Sequence, residues 1–148
     1  MTKTVSLIAL CGIPGSGKTT LSKQLASESD AVLYCFDKRR GAFSPTKSEE
    51  AKLQMYKEIA EELKLGNSVV CDDLNTKKLR REQLLSAVSQ IDCFKKLVVL
   101  DTPLEECLKR NSKRQRRIAN EIILNIKRKY EPPTLEEGWD EIVFVTTE

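Results

Sequence analysis

The sequence predicts an α/β fold in which a five-stranded parallel sheet carries helices on both faces. Two observations predict it. Five short apolar segments alternate with stretches of helical periodicity. A glycine-rich octapeptide, Gly12-Ile13-Pro14-Gly15-Ser16-Gly17-Lys18-Thr19, joins the first of those segments to the first helix. Parallel neighbours need crossover connections, and helices between strands supply them.

The elements follow in chain order. Val5 to Cys11 is an unbroken apolar run ending in glycines, the pattern of a central strand buried on both faces. After Lys18-Thr19-Thr20, Leu21, Leu25 and Ala26 recur at helical spacing to about Asp30, and Ala31 to Phe36 is a second strand ending on Asp37. A helix runs from Ser48 through Leu53, Tyr56, Ile59, Ala60 and Leu63 to Gly66, which suits a C-terminal cap. The third strand is Ser68 to Asp72, followed by a helix from about Lys77 to Ser89. A fourth strand, Lys96 to Leu100, ends in Asp101, and Pro103 opens a helix through Leu104, Cys107 and Leu108. A basic stretch, a helix from about Asn120 to Tyr130, a Pro132-Pro133 breaker and a last strand at Ile142 to Val145 complete the chain. In such sheets ligands bind beyond the carboxyl ends of the strands, where Gly12, Asp37, Asp72 and Asp101 would all emerge.

Length and composition set the bounds. The 148 residues, 40% of them apolar, suit a single domain spanning 1–148 with one core of ordinary size. The basic excess of three says little, but its distribution is lopsided: nine basic residues and one acid, Glu121, lie between Lys109 and Lys129. Five widely spaced cysteines with no Cys-x-x-Cys pair suit reduced thiols and a cytoplasmic protein. The absence of histidine excludes a Cys/His zinc site and a His-activated nucleophile, so acid–base chemistry must rest on carboxylates, Lys or Tyr. The apolar run near the start is too short to span a membrane and is broken by Gly12 and Pro14, so neither a leader nor a membrane partner is expected.

Gly12 to Thr19 satisfies the pattern G-x-x-x-x-G-K-[ST] in its required strand-to-helix context, which makes the predicted fold a three-layer P-loop NTPase sandwich. Glycines let the backbone wrap a phosphate with its N–H groups, and the positive end of the following helix favours the anion. Lys18 would contact the β- and γ-phosphates of ATP or another nucleoside triphosphate, with Thr19 supplying a hydroxyl to Mg²⁺ and Thr20 beside it. Asp37 at the mouth of the second strand would accept a proton from an attacking hydroxyl and Arg40 would hold an acidic acceptor; the other reading is that Asp37 caps a turn. Asp72 and Asp73 end the third strand, and adjacent residues on a strand cannot both face one metal. Asp72 is placed on the metal side with Asp73 as the alternative, and a plain strand-end turn is the other reading. Arg110 to Arg117 holds five cations in eight positions, read either as a solvated face or as part of a basic lid, about 109–119, that closes over the triphosphate. Cys11, Cys35 and Cys71 read as small buried hydrophobes, and Trp139 as a packing residue.

These motifs, in this order, resemble the polynucleotide 5′-hydroxyl kinase branch of P-loop kinases from Ser6 to about Phe144. The resemblance rests on the phosphate loop, Asp37-x-x-Arg40, Asp72-Asp73-Leu74-Asn75 with Arg80-Arg81, Lys109 to Arg114, and Tyr130-Glu131-Pro132-Pro133 with Glu137-Gly138-Trp139. It implies ATP- and Mg²⁺-dependent phosphoryl transfer to the 5′-hydroxyl of DNA or RNA, as in nucleic-acid end repair. By the same resemblance Asp37 is the general base and Arg40 contacts the acceptor phosphate, with Asp72, Asp73 and Asn75 on the acceptor side. Arg114 reaches the ATP phosphates from the lid with Arg110 beside it, and acts with Lys18 in catalysis. Phe36 and Lys38 replace the polar and acidic neighbours common around the base in that branch. The third-strand run also resembles kinases of seryl-tRNA and their ATPase relatives. An aminoacyl-tRNA or small-alcohol kinase, and an ATP-dependent regulatory ATPase without an acceptor, are therefore the alternatives.

Overall fold

The computed structural model describes residues 4–40, 48–115 and 117–146, with the side chains of Arg39 and Arg40 outside the description. Strands β1 (Ser6–Cys11), β2 (Val32–Cys35), β3 (Val69–Asp72), β4 (Phe94–Leu100) and β5 (Glu141–Val145) form one parallel sheet in the order β2-β3-β1-β4-β5. The unbroken apolar run of β1 takes the central place, between β3 and β4, as burial on both faces requires. Ile8 stands opposite Val70 on one side and Lys96 on the other.

The period of two sorts the core. Leu7, Ala9, Cys11, Val69 and Cys71 face one side with Ala51, Met55, Ile59 and Leu63 of α3 (Ser48–Lys64) and Leu84 and Leu85 of α4 (Lys78–Ala87). Ile8, Leu10, Val70, Val98 and Leu100 face the other, where Leu21, Leu25 and Ala26 of α1 (Lys18–Glu28) cover them. Each such leucine or isoleucine, fully buried, contributes about 1.5–3 kcal/mol. A third cluster, Ile13, Cys107 and Ile123 with Leu104, Leu108 and Ile126, fastens α5 (Leu104–Ser112) and α6 (Asn120–Arg128) over the phosphate loop.

The structure departs from the sequence-based expectation at three places. The second strand ends at Cys35, and the chain turns at once into a short helix, α2 (Phe36–Arg40), so Asp37 sits in a first helical turn rather than at a strand mouth. Phe36 is buried in the core on the α3 side, which draws the chain away from the sheet edge, and a carboxylate suits a first turn. Cys35 is only half-buried because β2 is an edge strand, whereas Cys11 and Cys71 are fully buried. Finally, Lys109 to Ser112 of the expected lid are the last turn of α5, where cations favour the helix dipole. Residues 113–115 and 117–119 then cross to α6, while Arg116 lies outside the described residues.

Candidate active site

The phosphate loop is shaped by contacts that leave no room for side chains. Gly15 has φ +86°, and a Cβ there would stand 2.5 Å from the Cys107 carbonyl oxygen of α5. A Cβ on Gly12 would meet Ser16 Oγ at 2.7 Å and Leu100 Cβ at 3.2 Å. Gly12 N–H donates to Leu74 O at 2.9 Å, and Thr102 Oγ1 donates to Ser16 O at 2.8 Å, so β3 and β4 both brace the loop. Ile13 and Pro14 are buried beneath it, while Thr19 and Thr20 are exposed. Helix α1 opens directly from Gly17 with no side-chain cap and no acid in its first turn, so its amide groups and positive dipole end suit an anion.

Lys18 Nζ donates to Ile13 O at 3.0 Å. Burial pushes its ammonium below the ordinary lysine value, opposed by Asp72, then Asp37, then Asp73. Burial likewise pushes the Asp72 carboxyl up, opposed by the Ser22 hydroxyl and by Lys18. Ser22 Oγ lies 3.0 Å from both Thr19 O and Asp72 Oδ2, tying the first turn of α1 to the end of β3.

The two adjacent aspartates diverge. Asp73 is held at 2.6 Å by Lys52 of α3, and its Oδ1 accepts from Leu74 N–H at 2.8 Å. The Lys52 ammonium also stands 4.1 Å from the centre of the Phe36 ring, next to Asp37. Asp37 itself is exposed at the rim. Asn75, with φ 49°, is buried and donates to Leu10 O at 2.8 Å.

Among the described residues of the basic run, Arg110 reaches the phosphate loop: Nη1 lies 3.5 Å from Gly15 O, and Nε donates to Glu106 at 3.2 Å. Arg114 is exposed beyond the end of α5 and bonds through its backbone N–H to Asn111 O at 3.2 Å, not to the loop. The structure thus brings together Gly12 to Lys18, Asp72 and Arg110, with Asp37 near enough to act on the Lys18 charge. Sequence reasoning missed Ser22, Lys52 and Thr102. Ser22 lies four residues after Lys18 on one helical face, and Lys52 falls in step with Met55, Tyr56 and Ile59; both spacings are visible in the sequence. Burial pushes the Cys11 thiol up to about 11, so it is protonated at neutral pH and donates to Asn75 O at 3.3 Å.

Hydroxyl and carboxylate oxygens on Thr19 and Asp72 fit a hard divalent cation, and Ser22 already fixes the spacing between the two residues. Among the described residues no cluster of three His, Cys, Asp or Glu side chains stands ready to hold a metal. No described helix is long and apolar enough to cross a membrane.

Comparison with known proteins agrees with this architecture. The family described as "AAA domain" matches residues 7–133. L-seryl-tRNA(Sec) kinase of Methanococcus maripaludis is 31% identical over 152 residues, covering 96% of this chain, which spans 60% of that protein's length. Among solved structures, Kti12 of Chaetomium thermophilum in complex with ADP-AlF3 superposes with a TM-score of 0.75 at 21% identity, covering 95% of this chain and 88% of that one. A fungal RNA kinase superposes with a TM-score of 0.72 at 16% identity, covering 99% and 76%. By its sequence match and its strand order, the chain belongs to this AAA-domain family and has the P-loop kinase fold, with a nucleotide-phosphate-binding loop at its centre.

Proposed function

We propose that the protein transfers the γ-phosphoryl group of ATP to a hydroxyl of a nucleic-acid acceptor, the 5′-hydroxyl of DNA or RNA. The observation that carries this reading is the meeting of a half-buried Lys18 with Asp72 and Asp37 at one sheet edge, beside the phosphate loop. A hydrolytic or binding module needs the loop and a metal-side carboxylate. An exposed second carboxylate acting on the same lysine is what a hydroxyl acceptor would use.

In the proposed reaction the loop amides and Lys18 hold the phosphates, and Thr19 and Asp72 hold Mg²⁺, which when bound neutralises charge on the β- and γ-oxygens. The acceptor oxygen attacks the γ-phosphorus, the bond to the β-phosphate oxygen breaks, and ADP leaves. The hydroxyl proton passes to Asp37, and Arg40 holds the acceptor phosphate. Arg110 flanks the loop, and Arg114 would meet the developing charge by a movement of the segment after α5. Asp73, already neutralised by Lys52, would position the acceptor side together with Asn75 rather than hold the metal.

Asp37→Asn is expected to lower phosphoryl transfer by about 10²–10⁴-fold while leaving ATP affinity nearly intact. Undiminished transfer by this variant would sink the assignment of Asp37 as base. A second reading, transfer to the seryl hydroxyl of an aminoacyl-tRNA, is favoured by the 31% identity to a seryl-tRNA kinase. It keeps the same donor side. Arg40→Ala separates the two, since acceptor affinity should fall for a 5′-hydroxyl oligonucleotide and need not fall for seryl-tRNA.

A further inference from the structure

Lysine is seldom buried, yet Lys52 is only 9% exposed. It falls in step with Met55, Tyr56 and Ile59 on the face of α3 that packs against the core, where an apolar side chain would complete the stripe. A charge adds nothing to the packing of that face and brings the cost of taking an ion out of water. What the charge meets is specific. The ammonium stands 2.6 Å from Asp73 Oδ2 and 4.1 Å from the centre of the Phe36 ring. Asp73 Oδ2 takes no aligned hydrogen bond, so charge rather than a directed bond holds the two together. Glu49, one turn earlier on α3, is engaged by Arg80 through two bonds of 2.9 and 2.6 Å, which leaves Lys52 to Asp73.

These two contacts continue a connection that the sheet gives up. The ladder between β2 and β3 ends with Cys35 opposite Asp72. One residue further on each side, Lys52 takes over between Phe36 and Asp73. Helix α2 has five residues, too few to hold by its own hydrogen bonds, so it rests where its neighbours seat it. Asp73 Oδ1 accepts from Leu74 N–H, and Leu74 O accepts from Gly12 N–H. A continuous path thus runs from the phosphate loop through Leu74, Asp73 and Lys52 to Phe36, and Asp37 is the next residue. On the other side of Phe36, Cys35 is half-buried with the Asp37 and Lys38 amides facing its sulfur, whereas the other four cysteines are buried. The Cys35 thiol therefore reports how α2 is seated.

We infer that Lys52 is a positioning residue: its ammonium, set between the Phe36 ring and the Asp73 carboxylate, fixes α2 so that Asp37 faces the acceptor hydroxyl. This rests on the proposed role of Asp37 as base. The test pairs transfer kinetics on a 5′-hydroxyl oligonucleotide with the rate at which dithionitrobenzoate labels each cysteine. Lys52→Met should lower kcat about 10-fold or more and leave the KM for ATP unchanged. Lys52→Arg, which keeps the charge and can stack on the ring, should recover most of that loss. In an Asp37→Asn background, Lys52→Met should lower the residual transfer by no more than about 2-fold, because it acts through the carboxylate already removed. Cys35 labelling should quicken several-fold in Lys52→Met while the four buried thiols keep their rates. Because that variant leaves Asp73 without its cation, Lys52→Met/Asp73→Asn is measured beside it. Its unfolding midpoint should return towards that of the unaltered protein while Cys35 stays fast. Cys35 labelling unmoved in both Lys52→Met proteins, all five thiols quickening together in the double variant, or an equal fold-loss with and without the Asp37 carboxylate, overturns the inference. No transfer to any hydroxyl by the unaltered protein, with Cys35 still quickened by Lys52→Met, would leave Lys52 as the seat of α2 and remove the kinase reading instead.

Discussion

At the scale of single residues, the candidate site sets a buried carboxylate, Asp72, against a half-buried Lys18. Burial lowers the Lys18 pKa and raises that of Asp72, so each ion is kept at some cost to stability; Asp72 is the main group that favours the charged Lys18, whereas the Ser22 hydroxyl and then Lys18 favour the charged Asp72. The sign of the Asp72 effect on stability follows. Because its folded-state pKa lies above the unfolded value, the carboxyl is neutral in both states at low pH and costs nothing there. As pH rises through the folded value the protein must either ionise a buried acid or hold its proton, and stability falls. Asp72→Asn keeps the shape and the hydrogen bond with Ser22 without the charge. Thermal unfolding without nucleotide is expected to show a higher midpoint for this variant than for the unaltered protein at pH 7, the gap closing towards about pH 4. Mg²⁺-dependent transfer should fall by about 10²-fold or more. A lower midpoint at pH 7 would contradict the view of Asp72 as a carboxylate kept against its own stability.

At the scale of elements, one buried ion pair joins three pieces of chain. Arg81 of α4 is fully buried and meets Glu137 through two bonds, Nε to Oε1 at 2.8 Å and Nη2 to Oε2 at 2.9 Å. Its Nη1 donates to Asn75 O at 2.9 Å, and Trp139 Nε1 donates to Glu137 Oε1 at 3.1 Å. The turn after β3, the start of α4 and the approach to β5 are thereby locked together. Arg81→Met leaves the Glu137 carboxylate buried without its partner, which typically costs about 3–5 kcal/mol. With about 2–4 °C lost per kcal/mol, the unfolding midpoint should drop by roughly 10 °C, and Arg81→Met/Glu137→Leu should recover much of it. A midpoint unmoved by the single change would show that the pair does not hold these elements. This lock also lies beyond what the sequence makes legible. The strand-and-helix order was legible because the apolar periods of 2 and 3.6 are local, and the phosphate loop because its spacing is contiguous. The 56 positions separating Arg81 from Glu137 carry no such period, and only the fold brings the two together. Asp37 was legible as a carboxylate just after the second strand but not as part of a helix, because burial of Phe36 against α3 decides where β2 ends. Arg110 and Arg114 were legible as cations. Which of them touches the loop depends on how far α5 extends, and its last turn carries Arg110 towards Gly15 and leaves Arg114 beyond it.

At the scale of the whole molecule, strand order does the positioning. Because β3 lies beside β1, the carboxylates that end β3 fall next to the phosphate loop that follows β1, and β2 at the edge sends Asp37 to the open rim. The helices α5 and α6 cover the loop from the other side through Ile13, Cys107 and Ile123. In the proposed reaction the donor-side groups thus lie between β1, β3 and α5, and the acceptor-side groups on the α2, α3 and α4 side. The direct test of that division is to incubate the protein with Mg²⁺ and ATP labelled on its γ-phosphate, offering a 5′-hydroxyl oligonucleotide and, separately, seryl-tRNA, and to follow the label. Label on the 5′ end of the oligonucleotide, and none with Lys18→Ala, is the expected result. Label released only as inorganic phosphate, with neither acceptor modified, would contradict a donor site built to serve an acceptor.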